Sequence, residues 1–211
     1  SSMDEDLRLH ANLPGIPDAI RQVGIGGSMV EVRTDMDYLL PTLDPDLAGL
    51  SETLDALTRG LKLEQISYEE LRDNIKNDLA RLRRTPSMMP IKNGHYSSRF
   101  GQRRHPYSRK REFHHGLDIS ADTGTRVRVT ADGKVVSTRF DRNLGLYIKI
   151  DHGNGFRTLY GHLRTFNVEP GQIVERGQVI GRSGNTGRST APHLHYEVRH
   201  YNQPQNPTNY F

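Results

Sequence analysis

Hydrophobic residues in the first half of the chain recur at alternating spacings of four and three, the heptad period of a coiled coil. Only Glu64 and Asp78 place a charge on this apolar seam. A helix rises about 1.5 Å per residue, so about 40 residues of it would extend about 60 Å. The pattern therefore predicts a helical arm with the apolar seam residues Leu43, Leu47, Leu50, Leu54, Leu57, Leu61, Tyr68, Leu71, Ile75 and Leu82.

The start of this arm carries helix-initiation signals, whereas its continuity is open. Asp44 can cap the helix, and Pro45 suits the first helical position. The sequence "SYEE" at 67–70 is also a capping box, which could begin a second helix after a bend. Either one helix or a helical hairpin fits the pattern. A short helix at 17–23 is expected between the earlier prolines and glycines.

From residue 94 the pattern changes to short β-branched runs separated by glycine turns such as "ADG", "HGNG" and "NTG". Short, closely spaced strands with few helices indicate an antiparallel all-β domain, either a sandwich or a sheet rolled around one cleft. The expected strands are "TRVRVTA", "GKVVSTRF", "LGLYIKID", "FRTLYGHL", "GQVIGRS" and "HLHYEVRH".

Charge divides the chain at the same place. Residues 1–88 contain 10 Lys and Arg against 16 Asp and Glu, whereas residues 89–211 contain 19 against 9, so the two parts carry net charges of −6 and +10. Nine of the 10 histidines lie in the second part. We therefore expect a helical or coiled-coil region over 1–88 and a separate domain over 89–211.

Composition also limits the partners. The arginines of the basic part are scattered, which argues against nucleic acid and leaves anionic membranes or wall polymers. No run of about 20 apolar residues is present, so no segment of this sequence is expected to span a bilayer. Cysteine is absent, and any metal must be held by nitrogen and oxygen ligands.

Two histidine motifs are candidates for such a metal site. In "STAPHLHYEVRH", His193 and His195 point to the same side of a strand, about 7 Å apart. Alone, this pair is either a solvated accident or half of a site. In "EFHHGLDIS", His114 and Asp118 flank a turn that leads into a strand. Together with one histidine of the later pair, they would give three ligands and a vacant fourth position, as in catalytic zinc sites.

A further histidine, His162 in "LYGHL", is expected at the end of a strand. If His162 and His193 approach the vacant position, they can transfer protons and stabilise an oxyanion. Each histidine also has a purely structural interpretation, because His162 could fill a gap in the core and His114 could be exposed. Arg103 in "FGQR" is expected to organise the loop before His114.

The segments "SSRFGQRRHP", "HHGLDIS", "GTRVRVTADGKVV", "DHGNGFRTLYGHL", "VEPGQIVERGQVIGRSGNTGRSTAPHLHYEVR" and "NPTNY" resemble, in order and spacing, the lysostaphin/LytM-like zinc metallopeptidases. The resemblance covers about residues 96–211. It implies a mostly β, LytM-like catalytic domain, and the leucine-rich arm is similar to coiled coils that precede this domain in membrane-anchored Gram-negative members. Motif by motif, it implies Zn²⁺ ligands His114, Asp118 and His195, with His162 and His193 assisting catalysis.

The family resemblance implies a zinc-dependent endopeptidase that hydrolyses peptide cross-links or stem peptides of peptidoglycan. The expected location is the periplasm or cell envelope, with an inner-membrane anchor outside this sequence. Self-association through the arm and binding of a partner protein both stay open.

Two other functions compete with this one. Some relatives have lost metal ligands and only activate other wall hydrolases, but all five expected residues are present here. The sequences "ADGKVV" and "VEPGQIVERGQVIG" are also similar to hairpins of biotinyl and lipoyl carriers. Such carriers need a lysine at a hairpin tip, and none stands in a corresponding turn.

Overall fold

The computed structural model describes residues 6, 8, 9, 14, 15, 45–104 and 110–211, which divide into two compact units, Ser1–Asp78 and Leu79–Phe211. The helix expected at 17–23, the seam residue Leu43 and the cap Asp44 lie outside the described residues. The domain boundary after residue 88 stays a prediction, drawn from composition alone.

The arm is one continuous helix, α1 (Pro45–Arg84), of 40 residues. The alternative of a bend at 67–70 is therefore wrong. No proline or glycine stands at 65–72 to interrupt the helical hydrogen bonds, and Ser67 lies inside the helix instead of capping a new one. The guanidinium of Arg8 donates to Ser67 Oγ from Nε at 3.1 Å and from Nη2 at 2.7 Å.

The apolar seam of α1 is mostly on the surface. Leu71 is buried, but most of the described seam side chains are more than half exposed: Leu50, Leu54, Leu57, Leu61, Tyr68, Ile75 and Leu82. Among the described residues, no helix is both long enough and apolar enough to pass through a membrane.

The second unit is built on antiparallel strands. They are β1 (His95–Ser98), β2 (Gly101–Arg104), β3 (Arg111–His114), β4 (Leu117–Ser120), β5 (Arg126–Arg128), β6 (Gly133–Asp141), β7 (Gly145–Gly153), β8 (Phe156–Phe166), β9 (Ile173–Val174), β10 (Val179–Ser183), β11 (His193–His200) and β12 (Gln203–Gln205). A 3₁₀ turn, η1 (Pro207–Asn209), follows.

Most of these strands form one sheet in the order β1-β4-β11-β8-β7-β6-β9. Strand β10 pairs with β5 and β8, β12 pairs with β11, and β2 and β3 form a separate hairpin. The six expected strands correspond to β5, β6, β7, β8, β10 and β11, so the mostly β fold class is confirmed. The sequence pattern missed the short strands β1, β2, β3, β9 and β12, because two to four residues carry too little alternation.

The core of the sheet lies beneath β4, β7, β8 and β11. Its largest fully buried side chains include Tyr160, Tyr196, Leu117, Ile119, Ile148, Ile150, Leu163 and Leu194. Burying these apolar surfaces is the main stabilising contribution to the unit. Strands β4 and β11, which carry the candidate ligands Asp118 and His195, are therefore held in place by their own core side chains.

Strand β8 contains a bulge that changes which way its residues point. Tyr160 and Leu163 are both in the core, although strict alternation would place residues three apart on opposite faces. The pairing with β7 shifts between Leu146 and Ile148, and His162 adopts a positive φ of 58°. A bulge of this kind redirects a side chain. Here it turns His162 away from the core, into a surface cavity.

Candidate metal centre and active site

Strand β11 lies between β4 and β8 and collects the candidate residues through its register. His195 stands opposite Asp118 of β4 and opposite Gly161 of β8. His114 ends β3, and the turn at 115–116 leads directly into β4. Three distant parts of the chain therefore meet at one point of the sheet.

The side chains of His114, Asp118 and His195 converge. His114 Nε2 lies 3.2 Å from Asp118 Oδ1 and 3.2 Å from His195 Nδ1, and His195 Nδ1 lies 2.7 Å from Asp118 Oδ1. All three residues are buried. One atom of each residue therefore faces a common point.

The two imidazoles are oriented by acceptors on their opposite sides. His114 Nδ1 lies 2.9 Å from the carbonyl oxygen of Arg99, and His195 Nε2 lies 3.1 Å from Glu197 Oε1. Each ring can donate a proton to its outer acceptor and present the remaining nitrogen to the common point. Such outer partners fix the tautomer and the ring orientation of metal-binding histidines.

Asp118 has an outer partner as well. Arg103 Nη1 donates to Asp118 Oδ2 at 2.8 Å and to Ser98 Oγ at 2.7 Å, while its Nε donates to Glu112 Oε1 at 2.8 Å. Arg103 therefore contacts a candidate metal ligand directly. The sequence predicted only that Arg103 organises the loop before His114. Asp118 Oδ1 is left facing the imidazoles.

The protonation of this cluster follows from its hydrogen bonds. Burial opposes ionisation of Asp118, but hydrogen bonds from His114 and His195 outweigh it and hold the pKa of Asp118 far below its usual value. Burial also opposes the charge on His195, but hydrogen bonds to Asp118 and Glu197 raise the pKa of His195 to about 9. Without a metal, His195 is therefore a cation between two carboxylates at neutral pH.

His162 and His193 lie beside these three residues. Their ring centroids are 4.5 Å apart, and His193 Nε2 is 3.8 Å from Asp118 Oδ1. Burial lowers the pKa of His162 to about 4, so this ring is neutral at neutral pH. Both rings line a cavity of about 610 Å³. The structure thus brings together all five residues that the sequence motifs singled out.

The donor set suits a divalent metal. Two imidazole nitrogens and one carboxylate oxygen are the ligands of many catalytic zinc sites. In a tetrahedral site with bonds of about 2.0–2.1 Å, ligand atoms stand about 3.3 Å apart. The two 3.2 Å separations here are close to that spacing, and the third, 2.7 Å between Asp118 Oδ1 and His195 Nδ1, is the length of a hydrogen bond. His114, Asp118 and His195 would therefore hold the ion, and two of them, Asp118 and His195, also line the cavity.

The second part of the chain is similar to known peptidases. Residues 112–207 match the model of Peptidase family M23. The catalytic domain of the antimicrobial peptidase lysostaphin from Staphylococcus simulans superposes with a TM-score of 0.51 at 31% identity, covering 56% of this chain and 91% of that domain. This chain belongs to peptidase family M23.

Other M23 relatives are similar over the same region. The peptidoglycan DD-endopeptidase ShyA of Vibrio cholerae is 48% identical over 111 residues, 52% of this chain and 26% of ShyA. A zinc-containing peptidase from Vibrio cholerae has a TM-score of 0.53 and 38% identity, covering 59% of this chain and 38% of that structure. The chain spans about a quarter of the length of the first curated relatives it matches.

Sequence analysis missed Glu197, whose carboxylate contacts His195. Its signal was present, because in a strand Glu197 points to the same side as His193 and His195. The extended motif His-x-His-x-Glu would have identified it. The contribution of the Arg99 carbonyl has no sequence signal, because every residue has a carbonyl group.

Proposed function

We propose that this chain is a zinc-dependent endopeptidase that hydrolyses peptide cross-links or stem peptides of peptidoglycan. One observation carries the proposal: three donor atoms converge on a point beside a cavity into which two further imidazoles also project. Membership of family M23 supports the metallopeptidase class. The zinc-containing structural relative supports the choice of metal.

In this proposal His114, Asp118 and His195 bind the ion. A bound zinc ion lowers the pKa of a coordinated water from about 16 to about 7 and polarises a substrate carbonyl. The three side chains would hold the ion in one orientation, because each also makes a hydrogen bond to a neighbouring group that limits its rotation. Arg103 serves Asp118 in this way, and Glu197 serves His195.

His162 and His193 handle protons and developing charge. The neutral His162 can accept a proton at Nε2, since its Nδ1 is already bonded to the Thr186 carbonyl oxygen. Once protonated, a ring can donate to the leaving amine or to an oxyanion. Positioned proton transfer of this kind typically contributes about 10²- to 10⁴-fold in rate.

The substrate class is inferred from relatives and charge. ShyA is named a peptidoglycan DD-endopeptidase. Residues 89–211 carry a net charge of +10, which favours approach to an anionic wall polymer. These observations support action on wall peptides in the periplasm or cell envelope. Attachment to the inner membrane stays a prediction.

The proposal is tested by metal analysis and by digestion of purified muropeptides. We expect about one zinc per chain and cleavage products that mass spectrometry identifies within a defined panel of stems, direct cross-links and glycine bridges. His114→Ala should lose both zinc and cleavage. His162→Ala should lose cleavage and keep zinc, because no outer partner of the metal ligands is removed.

A zinc-loaded wild-type protein that cleaves no member of the panel would contradict the proposal. It would favour the alternative of a non-catalytic regulator that activates another wall hydrolase. The intact set of ligands argues against that alternative, because a regulator needs no accessible metal position.

The exposed seam of α1 supports a separate proposal, that α1 associates with another helix, from a second copy or from a partner protein. Leu57 and Leu61 are 59% and 67% exposed, and burial of such a stripe stabilises coiled coils. Light scattering of the wild type and of Leu57→Glu with Leu61→Glu should show whether the seam holds two copies together. A monomeric wild type would exclude self-association and favour a helix of a partner protein.

A further inference from the structure

The segment Gly184–Pro192, "GNTGRSTAP", supplies a carbonyl acceptor to each of the two non-ligand imidazoles. His162 Nδ1 lies 2.8 Å from the carbonyl oxygen of Thr186, and His193 Nδ1 lies 2.8 Å from that of Ala191. A carbonyl oxygen only accepts, so both Nδ1 atoms must carry hydrogen. A neutral imidazole has one N–H, and Nε2 of each ring therefore holds the lone pair.

The Thr186 carbonyl is held in place by the Thr186 side chain. Its hydroxyl accepts a hydrogen bond from Leu146 N at 3.0 Å and donates one to the Leu163 carbonyl at 2.7 Å. These bonds join the segment to β7 and to the residue after His162. His162 N donates to the Leu144 carbonyl at 2.7 Å. The bulge at His162 and its acceptor are thus fixed by the same contacts.

The backbone of Gly184–Pro192 packs closely against the start of β7, which fixes its position. Gly187 has a positive φ of 72°, and a Cβ added there would overlap the backbone nitrogen of Gly145. Gly145 has a positive φ of 66° and no room for a Cβ beside Thr186. Two glycines are therefore needed where the segment crosses the start of β7.

Ser189 has the corresponding role at His193. Its hydroxyl donates to the Ala191 carbonyl at 2.9 Å and lies 3.0 Å from His193 Nδ1. The Nδ1–H of His193 therefore meets two oxygens, and the hydroxyl also holds the carbonyl in place. Each imidazole has its own hydroxyl-bearing support within one segment.

We propose that Gly184–Pro192 sets the tautomer of both imidazoles, and that Thr186 and Ser189 are positioning residues for His162 and His193. The inference rests on the proposed function for its catalytic meaning. The chosen tautomer presents a lone pair at Nε2, which can accept a proton from a reacting group. The opposite tautomer would present an N–H there and could only donate, so a base would be lost.

The test is to read the tautomers directly in the zinc-loaded protein. Long-range ¹H–¹⁵N spectra of histidine-labelled protein distinguish a protonated Nδ1 from a protonated Nε2. We expect both His162 and His193 to show hydrogen on Nδ1 in the wild type. Thr186→Val should mix the tautomers of His162 alone, and Ser189→Ala those of His193 alone.

Kinetics on the same samples should follow the spectra. We expect Thr186→Val to lower kcat about 10-fold with KM changed less than about twofold, because a base is lost and substrate contacts are not. Thr186→Ser keeps the hydroxyl and should recover the wild-type tautomer and most of the turnover. Thr125→Val is the matched control, since its hydroxyl also donates to a carbonyl, that of Asp122, and serves no imidazole.

The outcomes separate this inference from the proposed function. Hydrogen on Nε2 of either wild-type ring would overturn the inference. So would a Thr186→Val protein whose His162 tautomer is unchanged, whatever its activity. Zinc content and thermal unfolding show whether Thr186→Val is misfolded. If it is, the His193 tautomer in Ser189→Ala tests the inference instead. A wild type with the expected tautomers that cleaves no muropeptide would contradict the proposed function and leave the tautomer assignment intact.

Discussion

Glu197 Oε1 lies 3.1 Å from Nε2 of His195, on the side of the ring opposite Asp118. Both residues are buried, and Arg199 holds the other oxygen of Glu197, with Nε at 2.9 Å and Nη2 at 2.8 Å from Oε2. The carboxylate is therefore fixed while it orients the ring. It also makes the ring a better ligand, because a nearby negative charge raises the basicity of Nδ1.

Replacing Glu197 should weaken metal binding without removing a ligand. Glu197→Gln keeps the shape and a hydrogen-bond acceptor but loses the charge. Above pH 9, where no proton competes for Nδ1 of His195, we expect the zinc dissociation constant to rise about 10- to 100-fold, the usual effect of losing an outer-shell partner. Competition with a chromophoric chelator measures this constant. Glu175→Gln is the control, because Glu175 is exposed and does not line the cavity beside the ligands. Equal constants for Glu197→Gln and the wild type would refute the orienting role.

Metal binding should release a proton from His195. In the metal-free protein the hydrogen bonds to Asp118 and Glu197 raise the pKa of His195 to about 9, so the ring is protonated at neutral pH. An ion that binds Nδ1 must displace that proton. Zinc affinity should therefore rise about 10-fold per pH unit from neutral pH and level off near pH 9.

Two measurements examine this release. Calorimetry in buffers of different ionisation enthalpy counts the protons, and we expect about one from His195. In Glu197→Gln the levelling point should move to lower pH, because one of the two supporting charges is gone. An affinity that is flat between neutral pH and pH 9 would show that His195 is already neutral in the free protein.

The sequence predicted the parts of the fold and site that depend on local patterns. The alternation of apolar and polar residues predicted β11. Because His193 and His195 are two positions apart, they lie on the same face of that strand. The turn after His114 was also readable, since a glycine separates it from the β pattern that carries Asp118. These inferences depend only on strand geometry.

The remaining features depend on contacts between distant segments. Simple alternation would not give the direction of His162, because the bulge arises from the pairing of β8 with β7. The bond from Arg103 to Asp118 joins residues 15 apart that lie in separate sheets. The carbonyl groups that orient His162 and His193 have no side-chain signature at all.

Gly116 should be intolerant of even a methyl group. A Cβ there would lie 2.6 Å from the Tyr196 carbonyl oxygen and 2.8 Å from His195 Cε1. The oxygen belongs to the backbone of β11 and cannot move alone, so β4 and β11 would have to separate. We expect Gly116→Ala to cost about 1–3 kcal/mol in free energy of unfolding and to weaken zinc binding.

Denaturant unfolding with and without chelator measures both effects of Gly116→Ala. Gly60→Ala is the control, because nothing lies within 4 Å of the Cβ position at Gly60 in α1. That change should stabilise the helix by about 0.5–1 kcal/mol. If Gly116→Ala unfolded at the wild-type denaturant concentration and bound zinc equally well, the close packing of β4 on β11 would have no energetic consequence.

Tyr160 should stabilise the sheet through its hydroxyl as well as its ring. The buried hydroxyl accepts from Thr130 N at 3.1 Å and lies 3.1 Å from the hydroxyls of Thr130 and Thr158. Tyr160→Phe would leave the Thr130 N–H buried without this acceptor, at a cost of about 1–3 kcal/mol in unfolding free energy.

Tyr201→Phe, at a side chain that is 72% exposed, should change stability by less than about 0.5 kcal/mol. Chemical denaturation compares the two variants, and because neither contacts a metal ligand through its hydroxyl, both should bind zinc as the wild type does. A Tyr160→Phe protein as stable as Tyr201→Phe would mean that water or a rearranged Thr130 replaces the lost bond.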